Sequence, residues 1–323
     1  MMNTDPPEWL HRFAVVLVCL IILLISAGGL VKSKEAGLSV PDWPLSYGSL
    51  NPPRWWEIEN VRAEHGHRLI AGTVALLTVG LAIAVSRREP RRWLRRLSWA
   101  AVATVVLQAL LGGLTVLYFL PTPISVSHAG LAQIYLCLVV TIAAATSRWW
   151  REGPPPSTAA PRVFRLAAVT TAAVYLQILV GAVMRHTGAG LAIPDFPLAF
   201  GRLIPPSFDF PIAIHYGHRL GALVVTGLVF WTVVRVWREA SGERRLRRPV
   251  TGLAVVVLAQ ITLGATVVLT GKAVLPNTVH VATGAMVLAT SLLVTLRAWR
   301  LRETSEAEVA RPAGSQALEK AVT

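Results

Sequence analysis

The segment GGLVKSKEAGLSVPDWPLSYG at residues 28–48 returns 153 residues later as GAVMRHTGAGLAIPDFPLAFG at residues 181–201. Both copies place a Pro-Asp-aromatic-Pro core between glycines at matching positions. Three further repeats follow at offsets of 151 or 152 residues: EHGHRL (64–69) with HYGHRL (215–220), QALLG (108–112) with QITLG (260–264), and His128 with His280. The chain is therefore an internal duplication almost without gaps.

Hydrophobic patterning places this duplication in a membrane. Of the 323 residues 54% are hydrophobic and 15% charged, against about 25% charged in soluble domains. Runs of roughly 17–25 apolar residues span a bilayer. Eight such runs are predicted, at residues 13–30, 69–85, 97–120, 124–147, 166–184, 212–234, 250–271 and 274–296.

These spans predict an all-α integral membrane protein of two four-helix bundles. Because each half contributes an even number of spans, the halves have the same orientation, and a pseudo-twofold axis is expected along the membrane normal. The expected halves are residues 12–147 and 162–300, followed by a polar, disordered cytoplasmic tail at 301–323. The first span matches residues 166–184, so we expect it to be retained rather than cleaved as a signal peptide.

The net charge of +14 reflects arginines that cluster after the second, fourth, sixth and eighth spans. Loops rich in Lys and Arg stay in the cytoplasm, so both termini are predicted inside the cytoplasmic (inner) membrane. Orientation and anionic lipid account for the basic residues, which argues against nucleic-acid binding.

Four of the eight histidines repeat between the halves: His67 with His218, and His128 with His280. All four are expected at similar depth, the first pair at the beginning of its spans and the second about a turn inside. Facing helices of a bundle commonly build such a site, and neutral imidazole suits haem iron. Haem is favoured over zinc because no third or fourth ligand recurs with the pairs. The alternative is that these histidines form hydrogen bonds between helices.

Glu64 breaks the symmetry. It lies three residues before His67, on the same helix face, and His215 takes its place in the second half. An acid at the membrane boundary is a candidate for function. The alternative is an interfacial salt bridge with Arg68, four residues on.

Some of the basic residues on the outer side of the membrane are predicted to meet haem propionates. These candidates are Lys32, Arg68, Arg185 and Arg219.

Taken together, the 28–48 segment, Glu64-x-x-His67-Arg68, His128, His218-Arg219 and His280 resemble the haem A synthase family of cytochrome oxidase assembly. The resemblance extends from about residue 12 to 301. It implies that haem O is oxidised at its C8 methyl to the formyl group of haem A by two successive hydroxylations. The first half would hold the substrate haem through His67 and His128, with Glu64 as the family's essential acid. The second half would hold haem b through His218 and His280.

The resemblance also implies partners: haem O, an electron donor, the haem O synthase (protohaem farnesyltransferase) that supplies the substrate, and a homo-oligomer. Many bacterial members carry a cysteine pair around the Pro-Asp motif. Here Val40 and Ser46 stand in the first loop, and Ile193 and Ala199 in the second, so thiol chemistry is excluded from these loops. The rival hypothesis is a di-haem b-type cytochrome that carries electrons and has no substrate.

Overall fold

The structure, a computed structural model, describes residues 7–153, 160–240 and 242–309. In these ranges the regular structure is helical, with eight helices that are long and apolar enough to cross a membrane. The helices are α1 (Glu8–Ser33), α2 (Glu59–Arg88), α3 (Arg92–Leu117), α4 (Thr122–Thr146), the short α5 (Arg148–Glu152), α6 (Ala160–His186), α7 (Phe210–Glu239), α8 (Arg244–Leu269) and α9 (Val274–Val309).

All eight predicted spans are confirmed as helices, and most are longer than the apolar run that predicted them. A spanning segment must satisfy its own backbone hydrogen bonds, and helical hydrogen bonding continues into the flanking polar residues. Helix α9 continues to Val309. The first nine residues of the predicted tail are thus helical, which corrects the boundary at 301, and residues 310–323 lie outside the described residues.

The helices have the same neighbours in both halves. Helices α1 and α3 each contact α2 and α4, while α6 and α8 each contact α7 and α9. Between the halves, α1 packs against α9, and α4 packs against α6 and α9. These relations are unchanged when the halves are exchanged. The pseudo-twofold axis itself stays a prediction.

Two long loops, at residues 34–58 and 187–209, follow the first helix of each half. Because consecutive helices contact one another along the bundle, both loops lie at one end, which we call the loop end. Tight turns join α3 to α4 and α8 to α9 at the same end, and both use left-handed backbone, at Leu120 (φ 61°) and Lys272 (φ 65°). Each half therefore has a long loop before its second membrane-spanning helix (α2 or α7) and a tight turn before its fourth (α4 or α9).

Caps differ between the halves. The carboxylate of Asp209 accepts a hydrogen bond from the backbone N–H of Ile212 (3.0 Å) and so begins α7. The equivalent residue before α2 is Ile58, which has no side-chain cap. Side-chain capping satisfies one of the free N–H groups at a helix start. The start of α2 lacks this restraint.

Candidate functional site

The four repeated histidines occupy matching depths. His67 is the ninth residue of α2 and His218 the ninth of α7. His128 is the seventh residue of α4 and His280 the seventh of α9. At a rise of about 1.5 Å per residue, each lies about 9–12 Å from the start of its helix. His67 and His218 are therefore inside their helices and not at the beginning, since α2 and α7 start before the apolar runs do.

Each histidine ring packs against a glycine of a neighbouring helix. A Cβ placed on Gly28 would lie 3.1 Å from Cε1 of His67, and one on Gly181 would lie 2.8 Å from Cε1 of His218. The corresponding glycines at 112 and 264 approach His128 and His280 to 3.2 and 3.1 Å. Carbon atoms normally pack at about 3.5–4.0 Å. A side chain at position 181 would therefore force a shift, and one at position 28, 112 or 264 would displace the ring by a few tenths of an ångström.

Glutamines hold the helical turns that carry His128 and His218. Gln108 donates its amide Nε2–H to the backbone oxygen of His128 (2.8 Å). Gln177 donates to the backbone oxygen of His218 (2.6 Å), and its Nε2 lies 3.0 Å from Nδ1 of the same histidine. In the first half Leu24 occupies the position of Gln177. His218 is therefore held by a glutamine side chain, whereas leucine stands at that position beside His67.

The histidines of each half face each other across their bundle. His128 lies within electrostatic range of His67, and His218 within that of His280. The backbone of Leu24, of Gln108 and of Gln260 lies within hydrogen-bonding range of the His67, His128 and His280 rings, respectively. Among the described residues, no group of three or more His, Cys, Asp or Glu could hold a metal ion. Two imidazoles per half fit the two axial positions of a haem and do not complete a zinc site.

Glu64 is buried, with 4% of its surface exposed. One oxygen accepts a hydrogen bond from Nη2 of Arg68 (2.7 Å), and the other accepts one from the backbone N–H of Val40 (2.8 Å). The salt bridge that the sequence offered as an alternative is thus present. The carboxylate holds the 34–58 loop against α2, on the helix face that carries His67.

His215 makes the equivalent contacts in the second half. The backbone N–H of Ile193 points at Nδ1 (3.2 Å), and Nε–H of Arg219 points at Nε2 (3.2 Å). A neutral imidazole has one acceptor nitrogen, so only one of these donors can be satisfied. The carboxylate of Glu64 accepts both donors in the first half. The two donors at this position are therefore better satisfied by a carboxylate than by an imidazole.

The two equivalent arginines, Arg68 and Arg219, each bind the long loop of their own half. Arg68 donates to the carbonyl oxygens of Asp42 (2.7 Å), Leu45 (2.9 Å) and Val40 (3.0 Å). Arg219 does the same in the second loop, with the carbonyl oxygens of Asp195 (2.7 Å), Leu198 (2.8 Å) and Ile193 (3.2 Å) as acceptors. Most of the five N–H donors of each guanidinium are engaged. This geometry disfavours the prediction that Arg68 and Arg219 bind propionates and indicates that they clamp the loops.

Both loops have the same internal structure. The carboxylate of Asp42 accepts the backbone N–H groups of Tyr47 and Gly48 (both 2.7 Å), and Asp195 accepts the equivalent pair at Phe200 (2.8 Å) and Gly201 (2.7 Å). The hydrogen bond from Gly48 is the largest cause that holds the pKa of Asp42 below its ordinary value, and the Gly201 bond does the same for the pKa of Asp195. The two loops are thus ordered covers, clamped over their histidine pairs.

Arg185 joins the two halves. It reaches from α6 to α1, where Nη2 donates to the carbonyl oxygen of Gly29 (2.7 Å) and to Oγ of Ser33 (2.9 Å). Thr278 on α9 donates to the same Ser33 hydroxyl (3.1 Å). Gly29 is next to the glycine that abuts His67, and Thr278 lies two residues before His280. A hydrogen-bonded seam therefore connects the two histidine pairs, and Arg185 belongs to it. Lys32, the residue at the equivalent position, forms no salt bridge within the described ranges.

Sequence reasoning named the four histidines, Glu64 and the arginines as candidates, but it did not predict that glycines pack against the histidine rings or that Gln177 bonds to His218. The repeat of Gln108-x-x-x-Gly112 as Gln260-x-x-x-Gly264 is a signal that could have found two of the four glycines. A glutamine and a glycine four residues apart share a helix face. Both face the next histidine along the chain.

Together, these features define a class: a multi-pass membrane protein of eight helices in which two copies of one four-helix unit each carry a facing histidine pair under a clamped loop. Within that class the chain belongs to the COX15-CtaA family of cytochrome oxidase assembly proteins, whose family model matches residues 62–292.

Curated relatives agree with this family. The chain is 30% identical over 270 residues to a heme A synthase of Symbiobacterium thermophilum, an alignment that covers 79% of this chain and 84% of the relative. It is 28% identical to a heme A synthase of Halalkalibacterium halodurans, covering 80% of this chain and 87% of the relative. A heme A synthase of Mesorhizobium japonicum is 30% identical, covering 79% and 80%.

Proposed function

We propose that this protein is a haem A synthase, an oxidoreductase that converts haem O to haem A by oxidising the C8 methyl group to a formyl group in two hydroxylations. Family membership and the relatives support this reaction. The observation that carries it to particular residues is the difference between the halves. Both keep a histidine pair, a loop and a clamp, but only the first half has a carboxylate, Glu64, beside its ligand.

The first half is proposed to hold the substrate haem between His67 and His128. The second half is proposed to hold a resident haem b between His218 and His280, where a bound haem supplies one-electron redox chemistry. The contacts of Gln177 support this division, since a ligand braced by a hydrogen bond suits a permanent cofactor. A ligand without this glutamine brace, as in the first half, suits a haem that must leave after reaction.

Glu64 is proposed to act on the reacting group. A fixed carboxylate near a methyl group that loses electrons can stabilise developing positive charge or accept a proton. Its bonds to Arg68 and Val40 prevent it from rotating away, and preorganisation of this kind is what makes such groups effective. The same bonds give Glu64 a structural part in the loop, and the experiment must separate the two roles.

The protein is proposed to lie in the cytoplasmic membrane with both termini inside and the loop end outside, because arginines cluster at the other end. An electron donor, a haem O synthase that delivers the substrate and association with further copies are proposed partners.

The test is to express the chain in cells that make haem O and to identify the extracted haems by chromatography. Hydroxylated and formyl haems are expected from the wild type. Glu64→Gln keeps an acceptor for Val40 and should stop product formation while both haems stay bound. His215→Gln, at the equivalent position, is the matched control and should still form product.

Two results would count against the proposal. If the wild type binds two haems and yields no oxidised product, the protein is a di-haem b cytochrome. If Glu64→Gln loses the first-half haem, or if proteases cut its 34–58 loop readily, the residue has a structural role and not a catalytic one.

A further inference from the structure

A cavity of 240 Å³ lies between α1 and α2, with His67 in its wall. Pockets that enclose a whole drug-sized ligand measure roughly 300–1,000 Å³, so this space is too small for a porphyrin. It can accept one edge of such a molecule. Because His67 lines it, the cavity gives direct access to that imidazole.

The rim of this cavity is charged. Lys34, at the end of α1, forms an ion pair with Glu59 at the start of α2. The Lys34 side chain is 19% exposed and that of Glu59 is 66% exposed, so both residues line the cavity and the acid is the more solvated of the two. Arg62 lines the same cavity and donates from Nη1 to the carbonyl oxygen of Trp56 (3.1 Å). The rim thus has two cations and a single, mostly solvated acid.

The equivalent rim in the second half is uncharged. Thr187 stands in place of Lys34, Phe210 in place of Glu59, and Ala213 in place of Arg62. The seam behind it is filled: a Cβ placed on Gly221 would lie 2.1 Å from Oε1 of Gln177. In the first half the residue at the position of Gly221 is Ile70, which lines the cavity. The two halves therefore differ at the one seam where a haem edge would pass.

We propose that this α1–α2 cavity is the port through which the first-half haem enters and leaves, and that Lys34 and Arg62 bind its two propionate carboxylates there. Glu59 is the internal competitor: its carboxylate occupies Lys34 until that of the haem displaces it. Exposed ion pairs contribute little to stability, so the exchange is easy. The proposal rests on the proposed function only in taking the first-half ligand to be a haem that exchanges.

The test measures binding and not turnover. Purified protein that retains its second-half haem is titrated with protohaem and, separately, with protohaem dimethyl ester, which has the same ring and no carboxylates. Binding to the first half is followed by absorbance and corrected with a His67→Ala variant. Lys34→Gln and Arg62→Gln should each weaken protohaem binding by about five- to tenfold and leave the binding of the ester unchanged. Glu59→Gln should strengthen the binding of protohaem and not that of the ester.

Opposite signs for Lys34→Gln and Glu59→Gln separate the proposal from a structural ion pair, whose two partners would produce losses of the same sign. Equal losses, or equal effects on protohaem and its ester, would overturn the port. Thr187→Gln is the matched control and should change neither probe. Retention of the second-half haem shows that each variant is folded. If binding follows this pattern and no formyl haem is ever made, the port stands and the proposed function fails. If formyl haem is made and Lys34→Gln binds protohaem as the wild type does, the proposed function stands and the port fails.

Discussion

Replacing Gly181 by alanine should weaken haem binding in the second half without unfolding the protein. Gly181 lies on α6 against the ring of His218, and it is the tightest of the four contacts between a glycine and a ligand histidine. Alanine is favoured over glycine in a helix by about 1 kcal/mol. Any loss of haem would therefore come from the contact and not from a weaker helix.

The size of the effect follows from the distance. The new Cβ would lie 2.8 Å from Cε1 of His218, and a normal carbon contact is about 3.5–4.0 Å. The ring must therefore move by about 0.7–1.2 Å, or α6 and α7 must separate by that amount. Extra methyl groups in packed interiors cost roughly 1–3 kcal/mol. If the whole cost falls on ligation, haem affinity decreases by about five- to 140-fold, at 1.4 kcal/mol per factor of ten.

The assay compares haem occupancy and the absorption bands of purified Gly181→Ala with those of Gly227→Ala. Gly227 lies on α7 with nothing within 4 Å of its added Cβ, so its variant should match the wild type. Gly28→Ala, at 3.1 Å from His67, should show a smaller loss, confined to the first half. A Gly181→Ala protein with wild-type haem affinity and spectrum would refute the idea that the glycines set the ring positions.

Other changes test the loops. Arg68→Gln and Arg219→Gln should each speed proteolytic cleavage of the loop in their own half and leave the other loop unchanged; equal effects on both loops would contradict the separate clamps. The hydrogen bond from Gly48 lowers the pKa of Asp42. The ionised carboxylate therefore stabilises the loop fully at neutral pH, and this stabilisation is lost as pH falls through the lowered pKa. The protection factor of the Gly48 amide against hydrogen exchange, which corrects for the intrinsic effect of pH on the rate, should fall in acid, and Asp42→Asn should abolish this fall. His215→Glu should raise the thermal midpoint measured by circular dichroism, because a carboxylate accepts both donors in that slot; a lower midpoint would show that the imidazole is the better fit.

The eight spans could be predicted from sequence because a bilayer imposes a minimum apolar length. The same reasoning misplaced the ends. The run at 69–85 begins after His67, yet α2 begins at Glu59, since polar residues extend a helix once its apolar part has formed. His67 and His218 therefore lie deeper in their helices than hydropathy alone indicates.

The duplication made single residues interpretable, since each half is a control for the other. It identified the histidine pairs as equivalent and Glu64 as different. It did not show that Arg68 and Arg219 clamp loops, because those bonds go to backbone carbonyls that only the folded loop brings near. From sequence alone, an arginine next to each of these histidines suggests a partner for a haem propionate. The structure shows that its acceptors are backbone carbonyl oxygens of the loop.

For Glu64, sequence left two roles open, and the geometry contains the contacts of the structural one. The salt bridge to Arg68 and the bond from Val40 explain its burial. They do not explain why the first half has a carboxylate where the second half manages with His215. The proposed chemistry on a substrate accounts for that difference.

The most direct measurement identifies and quantifies the haems bound per chain of purified protein. It is made before and after incubation with haem O and with membranes that supply the reductant and the oxidant. Two unequal halves predict that one equivalent of haem b per chain stays unmodified while the haem O is replaced by hydroxylated and formyl haem, and that Glu64→Gln retains both haems unaltered. Recovery of haem O unchanged from the wild type, or exchange of both haems at equal rates, would contradict the division into a catalytic first half and a second half with a permanent cofactor.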